Sequence, residues 1–278
     1  MKDIIVVDGC TSGMGFEFAK KIIKKEKVDE IWLLSRRMER LEALRDEIKK
    51  INPDLCVQLI PIDLSKMDEI DSLYNQKLIL EKPNIKVLGL CAGFGRFSHF
   101  ENVPLDVNLN MVDVNLKSTI AMAYYSIPYM KRGSNMMIIA SDSSIQPVPY
   151  QNMYATTKAA VLSFGRSLNK ELHYKGIHVL SVTPLWVNTE FFSHAIDPNA
   201  PKVVINYGKI DEASDVMDRA IHDLYKKNKD VSVYGAKNHL QHALVKILPH
   251  KLVMKIWMNQ QKLDGTPTCR KMEEVSHE

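Results

Sequence analysis

Apolar residues come in short runs that alternate with helical patterns along the chain. Asp3-Ile4-Ile5-Val6-Val7 is a β-branched run ended by Gly9, the pattern of a buried strand. Residues 13–26 read as a lysine-rich helix and Ile31-Trp32-Leu33-Leu34 as a second strand. Within 37–50, Met38, Leu41, Leu44 and Ile48 recur at helical spacing and make one apolar face. Cys56 to Ile62 predicts a third strand, 66–80 a helix, and Ile85 to Leu90 a fourth strand. Helix follows within 104–131, then a fifth strand over Met136 to Ala140, a helix over 152–175 and a sixth strand over Ile177 to Val182. Such alternation implies right-handed crossovers and an α/β fold whose parallel sheet is covered on both faces.

Beyond residue 184 the alternation weakens. A loop holding Pro184, Pro198 and Pro201 runs to about 209, followed by a helix over 211–228, a short strand over 230–234 and a helical C-terminal segment. No Pro/Gly/Ser-rich linker interrupts the pattern, so one domain is expected. Residues 1–235 form its body, with a substrate loop at 190–208, and 236–278 form a helical extension.

Composition narrows the class. With 278 residues, 45% hydrophobic and 25% charged, the chain is neither disordered nor fibrous as a whole. A net charge of +4 is too mild to point to nucleic acid, and no basic stripe with interleaved aromatics stands out. Cys10, Cys56, Cys91 and Cys269 show no metal-binding spacing, so no metal is expected. Only Met1-Lys2-Asp3 precedes the first apolar run, and no uncharged stretch reaches the ~18 residues of a membrane span. The expectation is a reduced, cytoplasmic protein without integral membrane association.

The first strand ends in Gly9-Cys10-Thr11-Ser12-Gly13-Met14-Gly15, a G-x-x-x-G-x-G turn that opens a helix. Glycines there let backbone approach a pyrophosphate, and a helix N-terminus offers free N–H groups. The same turn also serves a tight strand–helix connection with left-handed residues. After the second strand stand Ser35-Arg36-Arg37, where an acidic residue would hold a ribose 2′-hydroxyl. A hydroxyl and two guanidiniums suit a 2′-phosphate, which selects NADP(H), although the arginines could equally begin a charged surface helix. Asp63, after the third strand, can accept from an adenine amino group or cap the helix near 66.

Tyr154 and Lys158 are four apart and share a helix face. A nearby ammonium favours phenolate and would pull a tyrosine pKa of about 10 toward neutrality. That suits carbonyl/alcohol chemistry, whereas a lone pair of this spacing is usually a surface contact. Together with the glycine turn, the pair resembles the short-chain dehydrogenase/reductase family, and the match covers nearly all of 1–190. That resemblance implies a Rossmann-like doubly wound sheet of strand order 3-2-1-4-5-6-7. It also implies an Asn-Ser-Tyr-Lys tetrad. Tyr154 and Lys158 match its Y-x-x-x-K, and Val114-Asn115-Leu116 carries its asparagine. Its serine falls thirteen residues before the tyrosine, at Ser141, with Ser143 and Ser144 as rivals. Pro149, eight past Ser141, also fits the family pattern.

The family's T-G is Asp8-Gly9 here, its N-N-A-G is Leu90-Cys91-Ala92-Gly93, and its P-G is Pro184-Leu185, followed by Val187-Asn188-Thr189. Cys91 reads as a small buried residue. By resemblance the cofactor set comprises the turn residues Gly9, Thr11, Ser12, Gly13, Met14 and Gly15. It continues with Ser35, Arg36, Arg37, Asp63, Leu64, Ala92, Gly93, Pro184, Val187 and Thr189, together with Tyr154 and Lys158. Hydride would pass between nicotinamide and a carbonyl or carbinol carbon. Tyr154 would exchange the proton, Lys158 would lower its pKa and hold the ribose, and Ser141 would orient the substrate oxygen. Asn115 would anchor a water, or bond to backbone as a plain helix residue.

Specificity in this family lies after the sixth strand and at the C-terminus. Here 190–208 holds Phe191, Phe192, His194, Ile196 and Tyr207, a composition suited to a mobile lid. The last helical segment holds Leu244, Leu248, Leu252, Ile256, Trp257 and Met258. A bulky apolar alcohol or ketone such as a hydroxysteroid or bile acid is the expected substrate, with a 3-oxoacyl group or small ketone as rival. These residues could equally be core or a homodimer or homotetramer interface. Over 243–258 apolar residues go almost all the way round with Lys246, Lys251 and Lys255 among them, and Pro249 breaks or begins a helix. A lid or subunit contact is favoured there, with peripheral membrane contact left open. A reading of another class is a non-catalytic NADP-sensing regulator, against which the complete tetrad argues.

Overall fold

In β1 (Asp3–Asp8) the side chains alternate between two buried clusters: Ile4 and Val6 enter one, Ile5 and Val7 the other. That is the two-residue period of a strand with both faces covered. The computed structural model describes residues 1–196, 202–226 and 229–263. Pro198, Pro201, residues 227 and 228, Cys269 and the last part of the C-terminal extension lie outside the described residues.

From β1 the chain runs through α1 (Gly13–Ile22), β2 (Glu30–Ser35), α2 (Met38–Ile51) and β3 (Cys56–Pro61). The next helix begins as α3 (Met67–Leu73), widens into a π-type turn over Tyr74–Leu78 and ends as α4 (Ile79–Glu81), before β4 (Asn84–Leu90). The long stretch that follows is α5 (Leu105–Val112) and α6 (Ser118–Ser126), joined by a second π-type turn over Asp113–Lys117. Then come β5 (Asn135–Ile139), α7 (Asn152–Leu172) and β6 (His178–Val182). The remainder is β7 (Val187–Asn188), α8 (Phe191–Ala195), β8 (Asp211–Glu212), α9 (Ala213–Leu224), β9 (Val231–Ser232), α10 (Ala236–Val245) and α11 (His250–Gln260).

All strands of the main sheet are parallel, in the order β3-β2-β1-β4-β5-β6-β9. This is the expected order, with β9 as its seventh strand. Strands β7 and β8 pair only with each other, as a two-residue bridge. Against one face pack Phe18 and Ile22 of α1, Leu44 of α2 and Met217 and Ile221 of α9. Against the other pack Ile70 of α3, Met122 of α6 and Val161 and Leu168 of α7. Each such side chain, fully buried, contributes about 1.5–3 kcal/mol.

Several expectations change. The helix expected over 211–228 is shorter, because Asp211 and Glu212 pair as β8 and α9 ends at Leu224, with Tyr225 and Lys226 already outside it. The helix foreseen over 13–26 ends at Ile22, because Lys24, Lys25 and Lys27 have no apolar side to bury. The stretch after β7 is not simply a loop: Phe191–Ala195 folds as helix, with Ala195 fully buried and its carbonyl accepting from Phe97 N–H at 2.8 Å.

Candidate active site

The candidate residues gather beyond the C-terminal ends of the strands, the usual crevice of an open parallel sheet. At the end of β1 the backbone must turn sharply, and Gly9 does so at φ +54°. A Cβ on Gly9 would lie 2.6 Å from the Ala92 backbone, and one on Gly15 would lie 2.3 Å from the Gly9 carbonyl oxygen. Ser12 leads into α1 without capping it by its side chain, so the first N–H groups of that helix stay open to a ligand. Thr11 and Ser35 share a hydrogen bond of 2.8 Å, which ties the turn to the end of β2. The turn therefore has the shape and the donors that a dinucleotide pyrophosphate needs.

Asp8, which replaces a threonine of the family pattern, is 1% exposed. Its carboxylate accepts from Cys91 N–H at 2.6 Å and Ala92 N–H at 2.7 Å, so it clamps the loop after β4 to β1. Burial pushes Asp8 up to about 6, against the pull of those two hydrogen bonds and of Lys158. Cys91 is half-buried rather than buried, but desolvation of its thiol still pushes it well up, which agrees with an unreactive residue. No spacing signal marked Asp8 as a clamp; only the approach of β1 to β4 reveals it.

Arg36 and Arg37 are both exposed past β2. Glu190, which sequence reasoning missed, accepts from Arg40 at 2.6 Å and lies 3.9 Å from Arg37. Among the described residues Arg36 enters no ion pair, although its charge acts on Asp63. The Asp63 carboxylate is taken by Ser65, through its N–H at 3.0 Å and its hydroxyl at 2.8 Å. Burial alone would raise Asp63, but those bonds and the nearby cations hold it below the usual carboxylate range. These bonds close a turn around Ser65 and do not cap α3, whose N-cap residue is Lys66 and which has no side-chain cap. Leu64 beside it is buried.

Asn115 sits fully buried in the π-type turn between α5 and α6. Its Oδ1 accepts from Phe94 N–H at 2.9 Å, while its Nδ2 donates to the Phe94 carbonyl at 2.9 Å and to Thr157 Oγ1 at 3.0 Å. Asn115 thus bonds to backbone, which fits the plainer of its two readings, and links the loop after β4 to α7. Lys158 is 3% exposed and donates to the Ile139 carbonyl at 2.7 Å. Gly93 leaves room for both: a Cβ there would lie 3.0 Å from Lys158 Nζ and 3.1 Å from Asn115 Oδ1.

Tyr154 corrects the expectation of a lowered pKa. Burial pushes its phenol up to about 12, and the Ser141 hydroxyl, its hydrogen-bond partner, pulls down only partly. The Lys158 ammonium lies 6.0 Å from the Tyr154 ring centroid and is turned to Ile139; burial depresses it to about 8, with Asp8 opposing. The charge meant to stabilise phenolate is thus held on a carbonyl. Ser141 caps the turn Asp142–Ile145, accepting from Ser143 N–H at 3.2 Å and Ser143 hydroxyl at 3.0 Å. Ser144 instead donates to the Ser141 carbonyl.

Ser141 and Tyr154 open on a cleft of about 420 Å³, whose wall also includes Met14, Pro184, Val187 and Thr189. Thr189 connects the cleft to the glycine turn, since a Cβ on Gly13 would lie 2.8 Å from its Cγ2. Arg36, Asn115 and Lys158 stand outside the cleft wall. The apolar wall is Phe97, Trp186, Phe191, Phe192, Tyr207 and Trp257. The Trp186 ring lies 5.1 Å from Tyr207 and 6.5 Å from Trp257, and Phe97 lies 6.0 Å from Tyr154. From the C-terminal segment Leu244, Leu248, Ile256 and Trp257 join the wall, whereas Leu252, Met258, His194 and Ile196 do not. Phe97 and Trp186 carried no spacing signal. Asp142 binds α10 to this site: its Oδ2 accepts from Gln241 at 2.5 Å and His242 Nε2 lies 3.2 Å from its Oδ1.

The chain belongs to the short-chain dehydrogenase family, whose model matches residues 3–199. It is accordingly an oxidoreductase of that family. Over 193 residues it is 31% identical to hydroxysteroid dehydrogenase-like protein 1 of Gallus gallus, covering 68% of this chain and 56% of that protein. The chain thus spans little more than half the length of that relative. A very-long-chain 3-oxoacyl-CoA reductase-B of Danio rerio is 30% identical over 190 residues, 66% of this chain and 60% of that one. Among solved structures, a short-chain dehydrogenase from Sphingobium yanoikuyae in complex with NADPH superposes with a TM-score of 0.72 at 20% identity, over 89% of this chain and 96% of that one. A 7beta-hydroxysteroid dehydrogenase gives 0.76 at 16% identity, over 92% and 96%. These two likenesses show the fold.

Proposed function

We propose that this chain is an NADP(H)-dependent oxidoreductase that interconverts a ketone and a secondary alcohol on a bulky apolar substrate, a hydroxysteroid or bile acid foremost. The observation that carries this reading is the cleft. Two tryptophans and four other aromatic rings form an apolar wall beside the hydroxyls of Ser141 and Tyr154, with Gln146, Gln151, Asn206 and Gln241 as further polar groups of the lining. A polycyclic ligand loses little conformational freedom there, and its one reactive oxygen can be met by two hydroxyls. The name of the Gallus gallus relative agrees with this reading. The Danio rerio reductase favours a 3-oxoacyl substrate as the second reading.

The residues fit the cofactor. Gly9, Gly13 and Gly15 would cradle its pyrophosphate with Thr11, Ser12 and Met14 around them, and the unpaired Arg36 would take the 2′-phosphate with Ser35 and Arg37. Asp63 and Leu64 would lie by the adenine, with Ala92 and Gly93 also against the cofactor. Tyr154 and Lys158 would contact the nicotinamide ribose, Val187 would lie by the nicotinamide amide with Pro184 nearby, and Thr189 would bond to that amide or to phosphate. When bound, the nicotinamide supplies or takes up the hydride. Tyr154 gives a proton to the substrate oxygen in reduction, and a phenol kept protonated by burial suits that direction. Ser141 orients the same oxygen and steadies Tyr154. Asn115 and Asp8 hold the loop after β4, and Lys158 completes the ribose side.

A cytoplasmic homodimer or homotetramer completes the proposal. Leu105 and Leu109 of α5 with Ile120 and Tyr124 of α6 are 69, 52, 42 and 71% exposed, a surface suited to a second copy.

Cofactor consumption over a panel of ketones tests the reading. NADPH should be preferred to NADH, and 3-, 7- or 17-keto steroids to acetone or cyclohexanone. Arg36→Ala should weaken NADPH binding about 10–100-fold, through lost charge-assisted bonds, and leave NADH nearly unchanged. Equal use of both cofactors, or no turnover of any carbonyl, would overturn it.

Ser141→Ala should lower kcat about 100-fold or more, as for the loss of a donor at a developing oxyanion. Ser143→Ala should cost less than about fivefold, because the Ser143 hydroxyl, although in the cleft lining, is donated to Ser141. Single-turnover rates of the two variants decide this, and the reverse order would make Ser143 the orienting residue.

A further inference from the structure

Helices α10 and α11 leave a band of large aliphatic side chains in solvent. Leu240 and Leu244 of α10 stand at i and i+4, and with Ile247 in the turn after it they are 60, 45 and 81% exposed. On α11, Leu252 and Ile256 are 44 and 42% exposed. A contiguous patch of this kind marks an interaction surface. It also runs into the cleft, since Leu240, Leu244 and Ile256 are at once exposed and part of the cleft wall. The mouth of the cleft therefore opens within the band.

The charge around the band is of one sign. Between Ala236 and Leu263 stand Lys237, Lys246, Lys251, Lys255 and Lys262, all exposed, and no aspartate or glutamate. The whole chain carries 37 basic and 33 acidic residues, so the excess is local. Beside α10, a groove against α7 holds Asp230, which pairs with Arg166 at 2.7 Å. The other carboxylate against α10, Asp142, is buried beneath the helix and bound to Gln241.

We propose that α10 and α11 dock on an anionic lipid surface, with the aliphatic band among the acyl chains and the lysines at the headgroups, so that an apolar substrate enters the cleft directly from lipid. Aliphatic side chains flanked by lysines are the composition of a helix lying in a membrane interface. Ten and eleven residues are too short to cross a bilayer, and no described helix is long and apolar enough to do so. A second copy fits this face poorly. A two-fold interface sets the same patch against itself, and five lysines would meet five lysines. Leu105 and Tyr124 offer a copy a surface elsewhere, with Asp106 and Lys117 of both signs exposed near them.

The test is co-sedimentation of the full chain with phosphatidylcholine vesicles, with and without phosphatidylserine. The chain should bind the anionic vesicles, about tenfold or more less well without phosphatidylserine, and less well again in high salt. Lys251→Glu with Lys255→Glu should lower binding about tenfold or more. Ile247→Asp with Leu252→Asp should do the same while leaving circular dichroism and turnover of a water-soluble ketone unchanged, because neither residue lines the cleft. Absence of vesicle binding at low salt overturns the proposal, as does unchanged binding by both variants. A dimer in sedimentation velocity that Ile247→Asp with Leu252→Asp dissociates also overturns it, in favour of a subunit interface. Vesicle binding is read without turnover, so its failure is distinct from failure of the oxidoreductase reading.

Discussion

Replacing Tyr154 by phenylalanine should lower kcat about 100- to 10,000-fold while leaving the affinity for NADPH within about threefold of native, the range a positioned general acid contributes. The substitution removes one oxygen and keeps the ring. The ring contacts, 6.0 Å to Phe97 and 5.2 Å to Phe191 between centroids, survive. The fold should therefore persist, and circular dichroism should be unchanged. What is lost is the hydroxyl at the floor of the cleft that would give its proton to substrate. Pre-steady-state turnover with fluorescence titration of NADPH separates the two effects. A variant that retains near-native turnover would show that another group moves the proton.

The second large effect is on stability. Gly9→Ala should destabilise the protein by about 3 kcal/mol or more, enough to leave much of it unfolded at working temperature. A non-glycine residue at φ +54° costs about 1–2 kcal/mol. The new methyl would lie 2.6 Å from both the N and the Cα of Ala92, and overpacking of that kind adds about 1–3 kcal/mol. The Ala92 backbone cannot retreat easily, because Asp8 holds its N–H at 2.7 Å. Urea unfolding followed by circular dichroism measures the loss. A shift in stability below about 1 kcal/mol would mean that the turn can relax away from β4.

Much of this architecture is legible in the residues. Ile4 to Val7 are β-branched and Ile31 to Leu34 apolar throughout, which reads as strands with both faces buried, and the helices between them carry apolar faces of one period. Local pattern decides such elements because burial acts on every residue of the run. The glycine turn is legible for a similar reason: Gly9 must adopt a conformation that a side chain forbids. The spacing of Tyr154 and Lys158 places both on α7. It does not show which way their polar atoms turn, and the structure aims Lys158 at Ile139 rather than at the phenol. The end of α1 at Ile22 was missed because lysines tolerate helix well, and only the lack of anything to pack against stops it.

By itself, then, the sequence determined the parallel α/β sheet, its strand order through the family resemblance, and the grouping of Ser141, Tyr154 and Lys158 around the ends of β5 and α7. These rest on short-range patterns, in which each residue's own periodicity or backbone preference carries the information. Contacts between segments far apart in the chain were decided by the tertiary structure alone. Asp8 reaches Cys91 and Ala92 across β1 and β4, and Glu190 reaches back to Arg40. Gln241 seats α10 on Asp142, and Phe97 and Trp186 close the cleft over Tyr154. No local propensity encodes such pairs, because each forms only when crossovers of the sheet bring two remote backbones together and burial then removes the water that would otherwise satisfy them.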